Sequence, residues 1–516
     1  MTGSGTLRVV ILKPSKYAAD GYVERFRWGF MPNSTVPYLA SMTPARLGNV
    51  RCEIHRVDEY VQTDLDYLHL LGPEPDIRVL LALVGVQSHQ LHRALDLAAA
   101  AVSRGCAAVI GGPHPMTCDT RILQGRGVSF ALCEAELVWT EILADAAAGD
   151  LKPVYGGGTR WQKRLSAPVI VPPSRRDLAR YVVRLLGVYP ARGCPYSCNF
   201  CSVIRIAGHA VRSQPVETTM ATLVRAQAAG VRFLMFTSDN FNKYPEVQTL
   251  LESMIEERIR LPFFVQCDAQ IYRQPELVRL LARAGCFQMF VGAESFDSRT
   301  LQSAHKFHNT PAKYAEIVRL CRENGISSHF SNILGFPSDT EESIREHLET
   351  LRRLAPDVAS FYLLTPVPGT EQYEEFRRAG LLTEDNLDRY DGSSMTWRHP
   401  TLPAARLTRW LFDCYRTFFG APDVSRKLLR LLRGQRDFRL YGSFSAVLGY
   451  SLQSRWSARC RLHPMAGGIQ RRRLDRDSDF RSLRRQVFGI DRAPLPDSLP
   501  LSAADEETNR RAKLVV

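Results

Sequence analysis

The sequence lacks any run of about 20 uninterrupted apolar residues, which is the length that a membrane-spanning helix needs. Its most apolar tract, residues 97–110, is interrupted by Arg104. The first residues also lack the charged start, apolar stretch and small-residue cleavage site of a secretory signal, because a strand-like segment begins at Leu7. We therefore expect a cytoplasmic protein with no transmembrane segment.

The sequence offers no sign of a disulfide framework, although it contains 12 cysteines. Disulfides are rare in cytoplasmic chains of this size, so an isolated cysteine is expected to act as a small buried hydrophobic residue. Most of the cysteines stand alone in this way. The exceptions are Cys194, Cys198 and Cys201, which lie close together in the sequence.

The composition limits the number of domains and the kind of partner. A chain of 516 residues, 45% of them apolar, is long enough for about two to four domains with their own cores. The net charge is +14, and much of the basic excess lies in residues 455–492. Such a charge fits an anionic membrane surface, an acidic substrate or a nucleic acid, and it equally fits a solvated helical face.

The first 150 residues alternate short apolar runs with segments of helical periodicity. Such alternation predicts a parallel, doubly wound sheet with helices on both faces. The predicted strands are residues 7–12, 50–57, 77–86, 107–110 and 130–133, and the predicted helices are residues 88–102 and 135–147.

A second alternating series of strands and helices follows a linker that is rich in glycine and proline. It contains six strand–helix units, which predicts an incomplete parallel barrel. After about residue 400 the pattern becomes helical, and the last fifteen or so residues are polar, so we expect them to be frayed. The predicted α/β protein thus has a Rossmann-like domain (7–150), a linker (151–185), a partial (β/α)6 barrel (186–390) and a helical C-terminal region (391–516).

The clustered cysteines have the spacing Cys-x3-Cys-x2-Cys and directly follow the first strand of the second series. Three thiolates on one loop can hold one face of a [4Fe–4S] cluster, which usually takes four cysteine ligands. Because no fourth cysteine is near, one iron keeps an open position. A structural zinc site is disfavoured, since no further cysteine or histidine pair follows at zinc-finger spacing.

This motif, with Phe200 before its last cysteine, resembles that of the radical S-adenosylmethionine (SAM) superfamily. The resemblance implies that Cys194, Cys198 and Cys201 bind the cluster and that the open iron chelates SAM. It extends to later strand ends, which carry Thr-Ser-Asp-Asn at 237–240, Gly-Ala-Glu-Ser at 292–295 and Asn-Ile-Leu-Gly at 332–335. The residues that the resemblance assigns to SAM are Phe200, Ser238, Asp239, Glu294 and Asn332.

The N-terminal domain resembles the cobalamin-binding domain of the cobalamin-dependent radical SAM branch, and with the barrel this resemblance covers about residues 7–390. Its strand ends carry a pair of glycines, which we expect to let the backbone approach a large flat ligand. The residues assigned to cobalamin are Gln87, Ser88, Gly111, Gly112, Pro113 and His114. The motif Asp-x-His-x-x-Gly, whose histidine binds cobalt from below, is absent, so we expect no histidine on cobalt.

The resemblance implies a C-methyltransferase of biosynthesis. One SAM methylates cobalamin, a second gives a 5′-deoxyadenosyl radical that takes hydrogen from an unactivated carbon, and that carbon then receives the methyl group. It also implies a flavodoxin- or ferredoxin-like electron donor and a small-molecule substrate, which the aromatic segment 438–452 suggests is apolar or anionic.

Two alternatives stay open at this point. One is a cobalamin-dependent radical SAM oxidative cyclase or rearrangement enzyme, which has the same two domains. The other is a non-catalytic cobalamin or iron–sulfur sensor whose basic tail binds nucleic acid, but a sensor needs neither an open iron nor SAM-binding strand ends. Nucleic acid is therefore the less favoured partner. A membrane surface remains open for the basic, aromatic C-terminal part of the chain.

Overall fold

A computed structural model of the protein describes residues 5–513 except 63–65, 73, 436, 461–462 and 464–466. The strands are β1 (Thr6–Lys13), β2 (Arg25–Gly29), β3 (Arg46–Leu47), β4 (Val50–Asp58), β5 (Ile77–Leu83), β6 (Ala107–Gly111), β7 (Val128–Ala131), β8 (Val154–Tyr155), β9 (Leu185–Val188), β10 (Ala191–Arg192), β11 (Arg212–Ser213), β12 (Phe233–Phe236), β13 (Phe263–Cys267), β14 (Cys286–Glu294), β15 (Ser327–Leu334), β16 (Val358–Leu363) and β17 (Gly468–Arg472).

The α-helices are α1 (Thr35–Met42), α2 (Leu91–Val102), α3 (Pro113–Thr117), α4 (Ala135–Ala148), α5 (Arg175–Leu178), α6 (Val203–Ile206), α7 (Val216–Ala228), α8 (Val247–Glu256), α9 (Pro275–Ala284), α10 (Ser298–Ser303), α11 (Tyr314–Glu323), α12 (Glu341–Leu354), α13 (Glu371–Arg378), α14 (Ala404–Phe418), α15 (Ala421–Gly434), α16 (Leu440–Cys460), α17 (Asp477–Phe488) and α18 (Ala503–Lys513). Within the described residues, no helix has both the length and the apolar content to cross a membrane.

The N-terminal sheet has the order β3–β4–β1–β5–β6–β7–β8, and its strands are parallel except for β3. Alternate residues of β1 enter different cores. Val9 and Ile11 share a core with residues of α1 and α4, whereas Val10 and Leu12 share one with residues of α2. Because strand side chains point alternately to opposite faces, the continuous apolar run of β1 reflects a sheet that is covered on both sides. The predicted doubly wound domain is confirmed.

The second sheet runs β9–β12–β13–β14–β15–β16 in chain order, and all neighbouring strands are parallel. Over the described part of the chain, no pairing joins β16 back to β9, so the predicted six-stranded partial barrel is confirmed. Parallel strands all end at the same rim, and the carboxyl-end rim is where barrels carry their chemistry.

The C-terminal segment returns to the N-terminal domain. Strand β17 pairs antiparallel with β2, and α17 packs on α2. At that contact Arg484, which is fully buried, binds Asp96 at 2.6 Å and Asp477 at 2.8 Å. The expectation of a frayed end is wrong, because residues 503–513 form α18. Strand β8 likewise lies within the stretch that we interpreted as a linker, yet it extends the first sheet.

We expect the Arg484→Met protein to lose about 3–5 kcal/mol of unfolding free energy, because the fully buried Asp96 and the partly buried Asp477 lose their shared partner. Arg485 is a matched control on the same helix, since it pairs with Asp491 at the surface and its side chain is 61% exposed. Arg485→Met should leave the denaturation midpoint close to that of the parent. Similar midpoints for the two variants would contradict the view that Arg484 fixes the returning segment.

Candidate active site

The cysteine loop lies between β10 and α6, directly beyond the carboxyl end of β9. Strands β10 and β11 pair antiparallel and close the loop at its base. Gly193 has φ +109°, and a Cβ atom there would lie 2.1 Å from the carbonyl oxygen of Ala210. Only glycine fits this position. The N–H of Cys194 donates to the carbonyl oxygen of Gly208 at 3.1 Å and fixes the start of the loop.

The three thiols of the loop are buried and influence one another. Burial raises the pKa of Cys194 and Cys201 to about 12 and that of Cys198 to about 11, and each pKa is raised further by another of the three thiols. Among the described residues, no three His, Cys, Asp or Glu side chains are grouped to hold one metal ion. The expectation of a cluster, in which separate irons each take one thiolate, therefore rests on the cysteine spacing.

The end of β12 holds this loop in place. The carboxylate of Asp239 accepts the N–H of Gly193 at 2.8 Å, and the amide of Asn240 lies 3.8 Å from the Cys194 sulfur. Asn240 is itself fixed by Asp268 at the end of β13, through hydrogen bonds of 2.9 and 2.8 Å. Sequence analysis did not assign Asn240 or Asp268 to the site, although Asn240 belongs to the quoted Thr-Ser-Asp-Asn motif.

Ser238 is the one predicted SAM residue whose polar group is left without a partner. Its side chain is 1% exposed, and its hydroxyl makes no hydrogen bond within the described residues. An unsatisfied buried hydroxyl costs about 1–3 kcal/mol, which a ligand with a hydrogen-bonding group would recover. This position therefore fits a polar ligand next to the cysteine loop.

An ion pair lies at the end of β14. The Glu294 carboxylate binds the ammonium group of Lys306 at 3.2 Å and accepts the hydroxyl hydrogen of Ser331 at 3.0 Å. Burial acts to lower the pKa of Lys306, but the nearby Glu294 carboxylate raises it overall. The ammonium group also lies 5.8 Å from the centre of the Phe200 ring. Gly292 leaves room for the pair, since a Cβ atom there would lie 2.6 Å from a Glu294 oxygen.

Lys306 is a site residue that sequence analysis missed. It follows α10 and belongs to no recognised motif, so only its contacts with Glu294 and Phe200 identify it.

The side-chain amide of Asn332, which the sequence analysis assigned to SAM, has partners within the protein. Its amide donates to the carbonyl oxygens of Phe330 at 3.0 Å and Ser360 at 3.1 Å, and its oxygen lies 2.9 Å from Nε2 of His347 on α12. Side chains alternate along a strand, so Asn332 faces the outer helix while its neighbours Ser331 and Ile333 line the barrel mouth.

A cavity of about 400 Å³ lies between the two sheets, and we name it the barrel-mouth cavity. Residues of both domains line it, including most of the side chains assigned to SAM or cobalamin. Phe200, Glu294 and Thr365 come from the barrel, and Gln87, Ser88, His89, Pro113 and His114 come from the N-terminal domain.

A second cavity, of about 290 Å³, lies beyond the ends of β5, β6 and β7, and we name it the Rossmann cavity. Gly111, Gly112 and Pro113 line it, and so does Asp239 from the barrel. Pro113 and Ile206 line both cavities, so the two spaces adjoin. Together they offer room for an elongated ligand that touches both domains.

The two glycines at the end of β6 have different roles. A Cβ atom on Gly112, whose φ is +138°, would lie 2.2 Å from the backbone nitrogen of Val86. A Cβ atom on Gly111 would meet only the Ala131 methyl group, at an ordinary 3.5 Å. The packing of the strand end itself requires Gly112, which also lines the Rossmann cavity, so its role toward cobalamin stays a prediction. Gly111 remains open to the cavity.

Salt bridges join the two domains beside the cysteine loop. Glu134 binds Arg192 at 3.2 Å and Arg212 at 2.8 Å, and Glu136 binds Arg192 at 2.8 Å. Both arginines lie on the β10–β11 hairpin that closes the loop, and both glutamates stand at the start of α4. The pKa of Glu134 is lowered because the two guanidinium groups outweigh its burial. These contacts fix the cysteine loop relative to the Rossmann cavity.

The histidines near the cavities are not equivalent. His92 is fully engaged, with one ring nitrogen 3.0 Å from Asp388 and the other accepting the N–H of Ala493 at 3.0 Å. Nδ1 of His114 lies 3.0 Å from the Ser88 hydroxyl, and burial lowers the pKa of His114 to about 3. Burial lowers the pKa of His89 to about 3 as well. His89 and His114 therefore face the barrel-mouth cavity as neutral rings.

Comparison with known proteins agrees with this geometry. Residues 188–351 match the family model of the radical SAM superfamily. Bacteriochlorophyllide d C-8(2)-methyltransferase of Chlorobaculum tepidum is 27% identical over 327 residues, which are 60% of this chain and 71% of that protein. Hopanoid C-2 methylase of Rhodopseudomonas palustris is 30% identical over 217 residues, which are 41% of each chain.

The fold also matches a solved structure. The methyltransferase TsrM of Kitasatospora setae, solved with cobalamin and a [4Fe–4S] cluster bound, superimposes with a TM-score of 0.60 at 16% identity. The match covers 87% of this chain and 99% of TsrM. Residues 188–351 therefore match the radical SAM superfamily, and the chain has the fold of TsrM.

Proposed function

We propose that this protein is a cobalamin-dependent radical SAM C-methyltransferase that methylates an unactivated carbon of a small molecule. One observation carries the proposal: the barrel-mouth cavity is lined at once by the cysteine-loop residue Phe200, by Glu294 of the barrel and by His114 of the N-terminal domain. Radical formation and methyl transfer need their two cofactors on opposite sides of one substrate. The walls of this cavity contain residues assigned to each of the two cofactors. Two similar proteins, which are named as a methyltransferase and a methylase, support the same function.

Each cofactor has a candidate set of residues. Cys194, Cys198 and Cys201 hold the cluster, and Phe200, Ser238 and Glu294 bind SAM. Gln87, Ser88, Gly111, Pro113 and His114 contact cobalamin. When bound, the cluster with SAM supplies a 5′-deoxyadenosyl radical, and cobalamin supplies the methyl group. We place the domains at 7–150, 186–390 and 391–516, although β8 within the linker 151–185 extends the first sheet and the C-terminal segment returns to the N-terminal domain.

The residues of the chain position these groups and keep water away. Asp239 and Asn240 fix the cysteine loop, and the Glu294–Lys306 pair offers a carboxylate and an ammonium group next to Phe200. The neutral rings of His89 and His114 add no charge to the wall of the cavity. A closed site keeps a carbon radical from side reactions with stray hydrogen donors.

The cavity wall next to the substrate contains both apolar and polar side chains. Ile333 and Leu364 are apolar, whereas Tyr362 and Asp391 are polar, and all four line the barrel-mouth cavity. An apolar molecule that carries a few polar groups fits such a wall. A flavodoxin- or ferredoxin-like protein supplies the electron, and we place the reaction in the cytoplasm.

Deletion of the gene tests the function and identifies the substrate. Cells fed methyl-labelled methionine should make at least one metabolite with a labelled methyl group that is missing from the deletion strain. The deletion strain should accumulate the same metabolite without that methyl group. Restoration by the parent gene, but not by the Cys198→Ala gene, is the control. A missing metabolite that never carried the label would favour the cyclase or rearrangement alternative.

A further inference from the structure

Helix α16 covers the end of the barrel opposite the barrel-mouth cavity. Its residue Gly442 lies against the Phe287 ring, and the Ser443 hydroxyl donates to the carbonyl oxygen of Phe287 at 3.2 Å, close to the start of β14. Tyr441 stacks on Phe233 at the start of β12, with 5.6 Å between ring centres. Side chains that face these strand starts lie on the side of the barrel away from the cysteine loop.

Several large apolar side chains of α16 lie on its outer face, although a surface helix usually buries such side chains. Its buried face consists largely of small or polar residues, including Ser443, Ser451, Ser454 and Ser457. Its outer face carries large apolar and aromatic side chains at helical spacing. We name this outer row the α16 stripe: Tyr441, Phe444, Leu448, Leu452 and Trp456.

Three of the five side chains of the α16 stripe are exposed to solvent, and Phe444 and Leu448 are half-buried. Tyr441 is 56% exposed, Leu452 59% and Trp456 47%. The neighbouring helix α15, which packs against α16, exposes Leu429 and Leu432 as well. Single exposed leucines are ordinary, but a helical row of large apolar side chains facing water marks a binding surface.

The charges around the stripe are almost entirely positive. Residues 421–460 contain eight lysines and arginines against two aspartates, a net charge of +6. Helix α16 itself has no acidic residue. Arg426 and Arg433 on α15 and Arg455 on α16 are exposed. A second copy docked through a two-fold axis would bring these like charges together, whereas an anionic surface would complement them.

We infer that the α16 stripe binds the surface of an anionic lipid bilayer. The stripe runs from Tyr441 to Trp456, about 22 Å at 1.5 Å per residue, so it lies flat in the interface. Tyrosine and tryptophan at its two ends suit the boundary between headgroups and acyl chains. The barrel-mouth cavity then faces away from the lipid, so the stripe anchors the protein and does not feed substrate into the cavity.

Vesicle sedimentation of the full, reconstituted chain tests this inference. The parent should sediment with vesicles that contain phosphatidylglycerol, bind pure phosphatidylcholine vesicles much more weakly, and be released by high salt. The Leu452→Gln/Trp456→Gln protein should bind the anionic vesicles at least about tenfold more weakly than the parent. Ile122→Gln is the matched control, because Ile122 is 55% exposed on the N-terminal domain, and it should bind like the parent.

Three different results would contradict this inference. Equal sedimentation of the stripe variant and the parent, or no sedimentation of the parent, overturns the inference. So does a parent that is a dimer by light scattering and becomes monomeric in the stripe variant, since a second copy then covers the stripe. Retained SAM cleavage by the variant shows that it folds. The vesicle result does not depend on the proposed methyl transfer, so either proposal can fail without the other.

Discussion

The Cys198→Ala protein should lose the brown absorbance of its iron–sulfur cluster and release no 5′-deoxyadenosine from SAM. In the proposed site three thiolates from one loop would hold the cluster, and the loop has no spare cysteine to replace a missing one. Cys194→Ala and Cys201→Ala should behave in the same way. Iron analysis together with deoxyadenosine measurement after anaerobic reconstitution checks the result.

Cys286→Ala is the control for this loss. Cys286 is fully buried at the start of β14, far along the chain from the cysteine loop, and burial raises the pKa of its thiol to about 12. Such a thiol acts as a small hydrophobic group, so its removal should leave both iron content and SAM cleavage intact. Full deoxyadenosine production by Cys198→Ala would end the assignment of this loop to a catalytic cluster.

The Glu294→Gln protein should keep its cluster but bind SAM about 10–100-fold more weakly, because a charged partner of the ligand becomes neutral. The exchange keeps the side-chain shape, and Gln can still accept hydrogen bonds from Lys306 and Ser331. SAM titration, followed through the change in the cluster spectrum, measures the affinity. Glu316→Gln, an exchange on the exposed face of α11, should bind SAM like the parent.

A purely structural role for Glu294 would give a different pattern. Iron would then be lost together with SAM affinity, because a displaced β14 end would disturb Phe200 and the cysteine loop. Unchanged SAM affinity with an intact cluster would remove Glu294 from the SAM site.

Local sequence pattern was enough to predict the two sheets. The continuous apolar run of β1 and the strand–helix alternation after residue 186 reflect strands that are buried on both faces, and such burial leaves a direct trace in composition. The cysteine spacing carried the same kind of local information, because all three thiols lie on one short loop.

Contacts between segments that are far apart in the chain left no pattern in the sequence. Arg484 and Asp96 are 388 positions apart, so the returning C-terminal segment could not be read from periodicity. Lys306 joins the site only because the chain folds back from α10 toward Glu294. The partners of Asn332 were not visible either, because a motif does not show the register that decides which side chain of a strand end faces the cavity.

Methyl transfer by the purified protein tests the central claim most directly. The anaerobic, reconstituted enzyme is incubated with reductant, methyl-labelled SAM and the metabolite that accumulates in the deletion strain, and the products are analysed by mass spectrometry. We predict that the metabolite gains one labelled methyl group and that deoxyadenosine forms in a similar amount. Deoxyadenosine together with a changed metabolite that carries no label would contradict methyl transfer.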